Sequence, residues 1–316
     1  MLPAGRRASA GREGSLSVNG HRTFDLEGVV SVLPTPFLDD GQLDPESLRA
    51  LVGVHVGAGV AAVTALGAMG ESAELTDDER REVVDVVRST APHLALIVGV
   101  TSATAKQVHE RAQGAAAAGA SAVMVSPMTS LATADAVAAA AVGLPIILQD
   151  YPAGYGVSIP VDEMVALASG RPLIVGAKVE APPTAGKIAE LRARAPHLGA
   201  TGGLGGLFLI DELAAGATGI MTGFALPERL VEIVRTYPRD PRAAEATWVA
   251  LLPLMRHEAF PPFSLAARKE VWRLRGVIRS AYCRRLGAVL DDTARADIRR
   301  SFEAVSGPTE VVAGVS

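Results

Sequence analysis

Four lysines stand in a chain whose positive charge is otherwise carried by arginine, and one of them, Lys178, ends the apolar run Pro172-Leu-Ile-Val-Gly-Ala-Lys178. Arginine keeps its proton in any protein setting, whereas a partly desolvated lysine can offer a lone pair and attack a carbonyl. A strand-end lysine can also do no more than pack its stem on apolar surface and hold its ammonium in water. The residues at the ends of the other apolar runs bear on that choice. They are Thr35, Gly67 to Glu71, Thr101, Ser126, Thr129, Gln149, Asp150, Tyr151, Glu180, Thr201, Gly202 and Thr222. Lys178 is the one amine among them, so the set reads as a nucleophile ringed by hydroxyls and amides.

Positioning such a ring requires many strands ending at one level. Short β-branched runs alternate with longer Ala-, Leu-, Glu- and Arg-rich segments, the pattern of repeated βα units. Strands are expected over 29–33, 60–66, 94–100, 121–126, 145–149, 172–178, 198–201 and 217–222. Helices are expected over 45–57, 77–90, 104–118, 133–142, 161–169, 182–195, 206–215 and 226–236. Asp44-Pro45-Glu46 and Thr76-Asp77-Asp78-Glu79 carry the oxygen acceptor and early acids that start a helix. Eight such units predict an α/β protein with a closed (β/α)8 TIM barrel, whose active sites lie at the C-terminal strand ends. An open doubly wound sheet is the alternative, weakened by the lack of a Gly-x-Gly-x-x-Gly turn after the first strand. Helices without strands follow over 241–256, 263–279 and 293–305, a C-terminal appendage expected to pack on the outside of the barrel. The expected division is a disordered leader over 1–24, a barrel over 25–237, a helical region over 238–308 and a tail over 309–316.

Composition narrows the classes. The chain of 316 residues is 49% hydrophobic but only 4% aromatic, so its core must be built from Ala, Val, Leu and Ile. Thirty basic against 34 acidic residues give a net charge of −4 with no basic stripe, which argues against nucleic acid as a partner. The single cysteine, Cys283, rules out an internal disulfide framework and is expected as a small filler in a C-terminal helix. The first 20 residues lack the apolar core of a secretory signal, and no unbroken apolar stretch reaches the ~20 residues that span a bilayer. A cytoplasmic protein without membrane contact is expected. The six histidines fall outside the strand ends, and Glu71, Asp150 and Glu180 are too scattered to suggest a metal set, so neither metal nor cofactor is expected.

The motifs together resemble the dihydrodipicolinate synthase and N-acetylneuraminate lyase superfamily of Schiff-base-forming, class I aldolase-like barrels, over residues 25 to 305. The resemblance rests on Leu33-Pro-Thr-Pro-Phe37, Gly67-Ala-Met-Gly-Glu71, Pro145-Ile-Ile-Leu-Gln-Asp-Tyr-Pro152, Ile174-Val-Gly-Ala-Lys178 and Gly216-Ala-Thr-Gly-Ile220. It implies that Lys178 forms an imine with a 2-oxo acid of the pyruvate type, and that the protein is a homotetramer or homodimer. Departures are equally informative. The family's Gly-Thr-Thr-Gly-Glu is replaced by a stretch with Ala68 and Met69, which leaves backbone N–H groups there to hold a carboxylate. Its catalytic tyrosine aligns with Gln149; Tyr151, of the same strand parity, is the first candidate to replace it as proton carrier unless it packs at the rim, with Thr222 or an ordered water as the other stand-ins. The arginine that binds the synthase's second substrate aligns with Gly154, which argues against dihydrodipicolinate synthesis, and its tyrosine pair after the fourth strand becomes Met128 and Thr129.

The expected activity is therefore a carbon–carbon or carbon–oxygen lyase, an aldolase or dehydratase, with Lys178 and Tyr151 catalytic. Ala68, Met69, Gln149, Gly202 and Thr222 would bind the substrate. Thr201-Gly-Gly-Leu-Gly-Gly206 adds the prospect of a phosphorylated substrate, since such loops can cradle phosphate. Glu71 is expected to stabilise its turn. The rival reading is a non-catalytic barrel that binds a small keto acid or a protein partner as a sensor or subunit.

Overall fold

The computed structural model describes residues 24–259 and 263–306. The expected tail, and the expected leader but for Phe24, lie outside them. Eight parallel strands close into a barrel in chain order, β1 (Gly28–Val32), β2 (Ala62–Ala65), β3 (Ala95–Gly99), β4 (Ala122–Val125), β5 (Ile146–Asp150), β6 (Ile174–Val179), β7 (Gly199–Gly202) and β8 (Gly219–Thr222), with β8 pairing back onto β1. Between them run α1 (Pro45–Ala58), α2 (Asp77–Thr90), α3 (Ala105–Ala117), α4 (Thr133–Ala140), α5 (Pro152–Tyr155), α6 (Val161–Gly170), α7 (Thr184–Arg194) and α8 (Leu209–Ala214); α9 (Pro227–Thr236) follows β8. These boundaries fall within three residues of the sequence expectations, except that α5 is a short turn of helix with no apolar period to announce it.

Helix starts follow the local chemistry. Asp44 accepts from the Ser47 N–H at the head of α1, and Thr76 and Glu79 exchange side-chain and backbone bonds at the head of α2 as a capping box. Two apolar layers result. The larger lies between strands and helices; a smaller one fills the barrel lumen with Val30, Val32, Ile97, Met124, Ile147 and Met221. Strand parity then places Gln149 and Lys178 above that inner plug. Gln149 pairs in register with Lys178, and Lys178 with Thr201.

The C-terminal helices α10 (Pro241–Ala259), α11 (Phe263–Leu274) and α12 (Asp292–Ser306) correct two expectations. They do not merely coat the outside, because Glu258, Ser264 and Arg268 from α10 and α11 reach the mouth of the barrel. Helix α11 also ends at Leu274, so Cys283 sits in irregular chain between α11 and α12, half-buried, with burial pushing its thiol up to about 11.

Candidate active site

Lys178 is buried at the top of β6, and its Nζ lies 3.0 Å from Oε2 of Glu180. One residue, Val179, separates them, so both project to the same side of the extended chain. The same Glu180 oxygen accepts from Nε2 of Gln149 at 3.0 Å, and its Oε1 receives the Leu204 N–H at 3.4 Å. The sequence expectation of neutral groups around the amine is thereby corrected: a buried carboxylate faces it. Gln149 keeps its Oε1 buried without a hydrogen-bond partner, an acceptor open to a ligand hydroxyl.

These groups line a narrow cavity of about 30 Å³, to which Ala68, Met69, Tyr151 and Thr222 also contribute. Its size suits about two or three water-sized groups, the head of a small molecule. An outer cavity of about 580 Å³ shares Ala68, Met69, Tyr151 and Ser264 with it and adds Arg111, Tyr155 and Arg285. Tyr151 thus turns into the same space as Gln149. Burial first, then the nearby Glu180 charge, raises its pKa, so its hydroxyl stays protonated and can donate. Gly154 lies against its ring; a Cβ there would stand 2.1 Å from Tyr151 Cε1, so no longer side chain fits unless that ring moves.

Of the residues predicted to bind substrate, Ala68, Met69, Gln149 and Thr222 line the inner cavity and Gly202 does not. A Cβ on Gly202 would meet the Glu212 carboxylate at 1.8 Å, and one on Gly203 would meet Oε1 of Glu180 at 2.3 Å. The glycines make room for two carboxylates. The loop's N–H groups are also engaged, Gly205 with Oγ1 of Thr222 at 3.1 Å and Gly206 with Gly203 O at 2.9 Å, so the loop is not an open phosphate cradle.

Three other strand-end residues are structural ties. Oγ1 of Thr35 donates to Gly70 O at 2.6 Å, and Asp150 faces Nζ of Lys187 at 2.5 Å. Glu71 is fully buried on Nζ of Lys269 at 2.5 Å and accepts the Arg285 N–H at 2.8 Å. Glu258, Ser264 and Arg268 were missed in sequence. Burial pushes Glu258 up to about 7 against the pull of Arg268. Among the described residues no group of three or more His, Cys, Asp or Glu is placed to hold a metal.

Comparison with known proteins agrees with this architecture. The profile of the Dihydrodipicolinate synthetase family matches residues 25–305. The chain belongs to that family. Members of this family are lyases and aldolases. An L-2-keto-3-deoxyarabonate dehydratase from Azospirillum brasilense is 30% identical over 286 residues, 86% of this chain and 92% of that protein. A 4-hydroxy-tetrahydrodipicolinate synthase from Methylococcus capsulatus is 33% identical, but over 54% of this chain and 61% of its own length. The crystal structure of a dihydrodipicolinate synthase from Rhodopseudomonas palustris superposes with a TM-score of 0.84 at 31% identity, over 89% of this chain and all of that one. In this member of the dihydrodipicolinate synthetase family, Gln149 and Glu180 lie beside Lys178 at the top of the barrel. No described helix is long and apolar enough to cross a membrane.

Proposed function

We propose that this protein is a Schiff-base dehydratase of 2-oxo-3-deoxy sugar acids. The observation that carries the reading is the buried contact between Lys178 and Glu180 at 3.0 Å. Glu180 takes one proton from the Lys178 ammonium and the freed Nζ adds to C2 of the substrate; a second proton passes from nitrogen to the C2 oxygen, and the proton held on Glu180 converts that hydroxyl to departing water, which leaves a protonated imine. The protonated imine then draws electrons from C3. Glu180 removes a C3 proton, and the resulting enamine expels the C4 hydroxyl, which Tyr151 protonates as it departs. Gln149 holds Glu180 in place and offers its free Oε1 to a substrate hydroxyl.

The dehydratase likeness, which runs nearly the full length of both chains, supports this choice of reaction. Dihydrodipicolinate synthesis is disfavoured because Gly154, where the synthase pattern has arginine, is packed beneath Tyr151. A purely binding barrel is disfavoured because a ligand site needs no carboxylate on a buried amine. The assembly is read as a cytoplasmic homodimer or homotetramer, checked by sedimentation. The test of the activity is direct: 2-oxo-3-deoxy acids of five and six carbons are incubated with the protein, and products are sought by mass spectrometry. Loss of one water from substrate, together with a borohydride-trapped adduct on Lys178, is expected. Turnover without any adduct on Lys178 would overturn the mechanism.

A further inference from the structure

The guanidinium of Arg268 is almost wholly buried, yet it is only half used. Its Nε donates to Oε2 of Glu258 at 3.1 Å and its Nη2 to Glu258 O at 3.3 Å, while Nη1 has no hydrogen-bond partner. A buried charged donor left unmade costs more than a satisfied one gains, so such a group calls for a ligand. Arg268 lines the inner cavity together with Lys178, Ala68 and Met69. Gly223 opens its approach: a Cβ there would lie 3.2 Å from both Nε and Nη1 of Arg268.

Charge points the same way. Two cations, Lys178 and Arg268, and two carboxylates, Glu180 and Glu258, line the cavity. Glu180 is committed to Lys178, and Glu258 at about 7 is only partly ionised near neutrality, which leaves Arg268 under-neutralised. Ala68 and Met69 bring no side-chain donor to that space. We infer that Arg268, delivered by the C-terminal helix α11, binds the carboxylate of the 2-oxo acid and so takes over the recognition that the family assigns to the threonines after β2. This rests on the proposed function for the identity of the ligand. A guanidinium fits a carboxylate in a way that a lone hydroxyl does not.

The test compares pyruvate with pyruvamide, its neutral isostere, by borohydride trapping on Lys178 in the full chain. Arg268→Met should raise the pyruvate concentration for half-maximal trapping roughly tenfold to a hundredfold, the range of a hydrogen bond to a charged group. It should leave pyruvamide trapping within about twofold, since that ligand carries no charge to pair. Arg268→Lys, which keeps a cation against Glu258, should show the same asymmetry to a lesser degree and serves if the methionine variant does not fold. An unchanged pyruvate dependence, or equal shifts for both ligands, would overturn the inference. Should the wild-type protein yield no adduct with either ligand, the Schiff-base reading fails, and Arg268 is tested separately by calorimetry of pyruvate binding to Lys178→Ala with and without Arg268→Met. Binding lost with the arginine supports its role; binding that is equal in the two, or absent from both, refutes it.

Discussion

With a carboxylate 3.0 Å from its amine, Lys178 has a proton acceptor at hand without the family's tyrosine, and the two residues should respond differently to substitution. Lys178→Ala should abolish both the borohydride adduct and turnover. Glu180→Gln keeps a polar group beside Gln149 and Leu204 but cannot carry a proton. It should lower kcat by about 10²- to 10⁴-fold, the usual contribution of a general acid–base group, while an adduct on Lys178 still accumulates over long incubation. Adduct formation and turnover lost together, with no adduct even on long incubation, would assign Glu180 to substrate binding instead. Tyr151→Phe removes one donor from the cavity and should slow turnover with little change in trapping. Much of this was readable in sequence, because a residue two positions past Lys178 must share its side of the strand. The pairing itself was not, since parity gives a direction but no partner, and in sequence Glu180 is one more polar residue at a strand end.

Packing of whole elements explains why the other half of the site was hidden. Helix α11 carries Arg268, Lys269 and Glu270 in succession, which in sequence resembles a solvated face. In the fold all three are buried and each is paired, with Glu258, Glu71 and the arginines 273 and 295. No periodicity could have shown that a helix beginning about 40 residues beyond β8 turns back over the barrel mouth, because all the partners but Arg273 lie off the helix, on α10, after β2 and on α12. The strands were legible because most are short β-branched runs between turn signals, β7 (Gly-Ala-Thr-Gly) being the exception, and their ends gave Lys178, Gln149 and Tyr151 at once. The Glu71–Lys269 pair, buried at both ends, is the bolt between the turn after β2 and α11. Lys269→Met should therefore destabilise the protein by about 3–5 kcal/mol in urea unfolding, because it strands a carboxylate inside the protein. Adding Glu71→Met should recover part of that loss, whereas a double variant weaker by the sum of both single losses would show that the pair is not coupled.

Across the whole molecule, buried ionisable groups set how stability varies with pH. Burial raises both Glu212 and Glu258 to about 7 in the fold and lowers His55 to about 4. A carboxyl whose pKa is higher folded than unfolded binds more protons in the native state. Its contribution is fully present below about 4.5 and is lost as pH rises through 7. His55 acts with the opposite sign: held neutral against Trp272, it costs stability as pH falls from 6.5 towards 4. Each shift amounts to about 3 kcal/mol, so the two carboxyls outweigh the one histidine, and these groups together should make the protein less stable at pH 8 than at pH 5. Glu212 gives the clean test, because it lies behind Gly202 and outside the cavity, whereas Glu258 is tied to Arg268. Glu212→Gln replaces a group that must ionise with one that cannot, and the histidine term cancels when variant and wild type are compared at each pH. The variant's advantage in Tm should be smallest near pH 5 and grow through pH 7 to a plateau near pH 8. An advantage that does not change with pH would mean that Glu212 keeps the same protonation state across that range, and that its burial in the fold exacts no charge penalty at all.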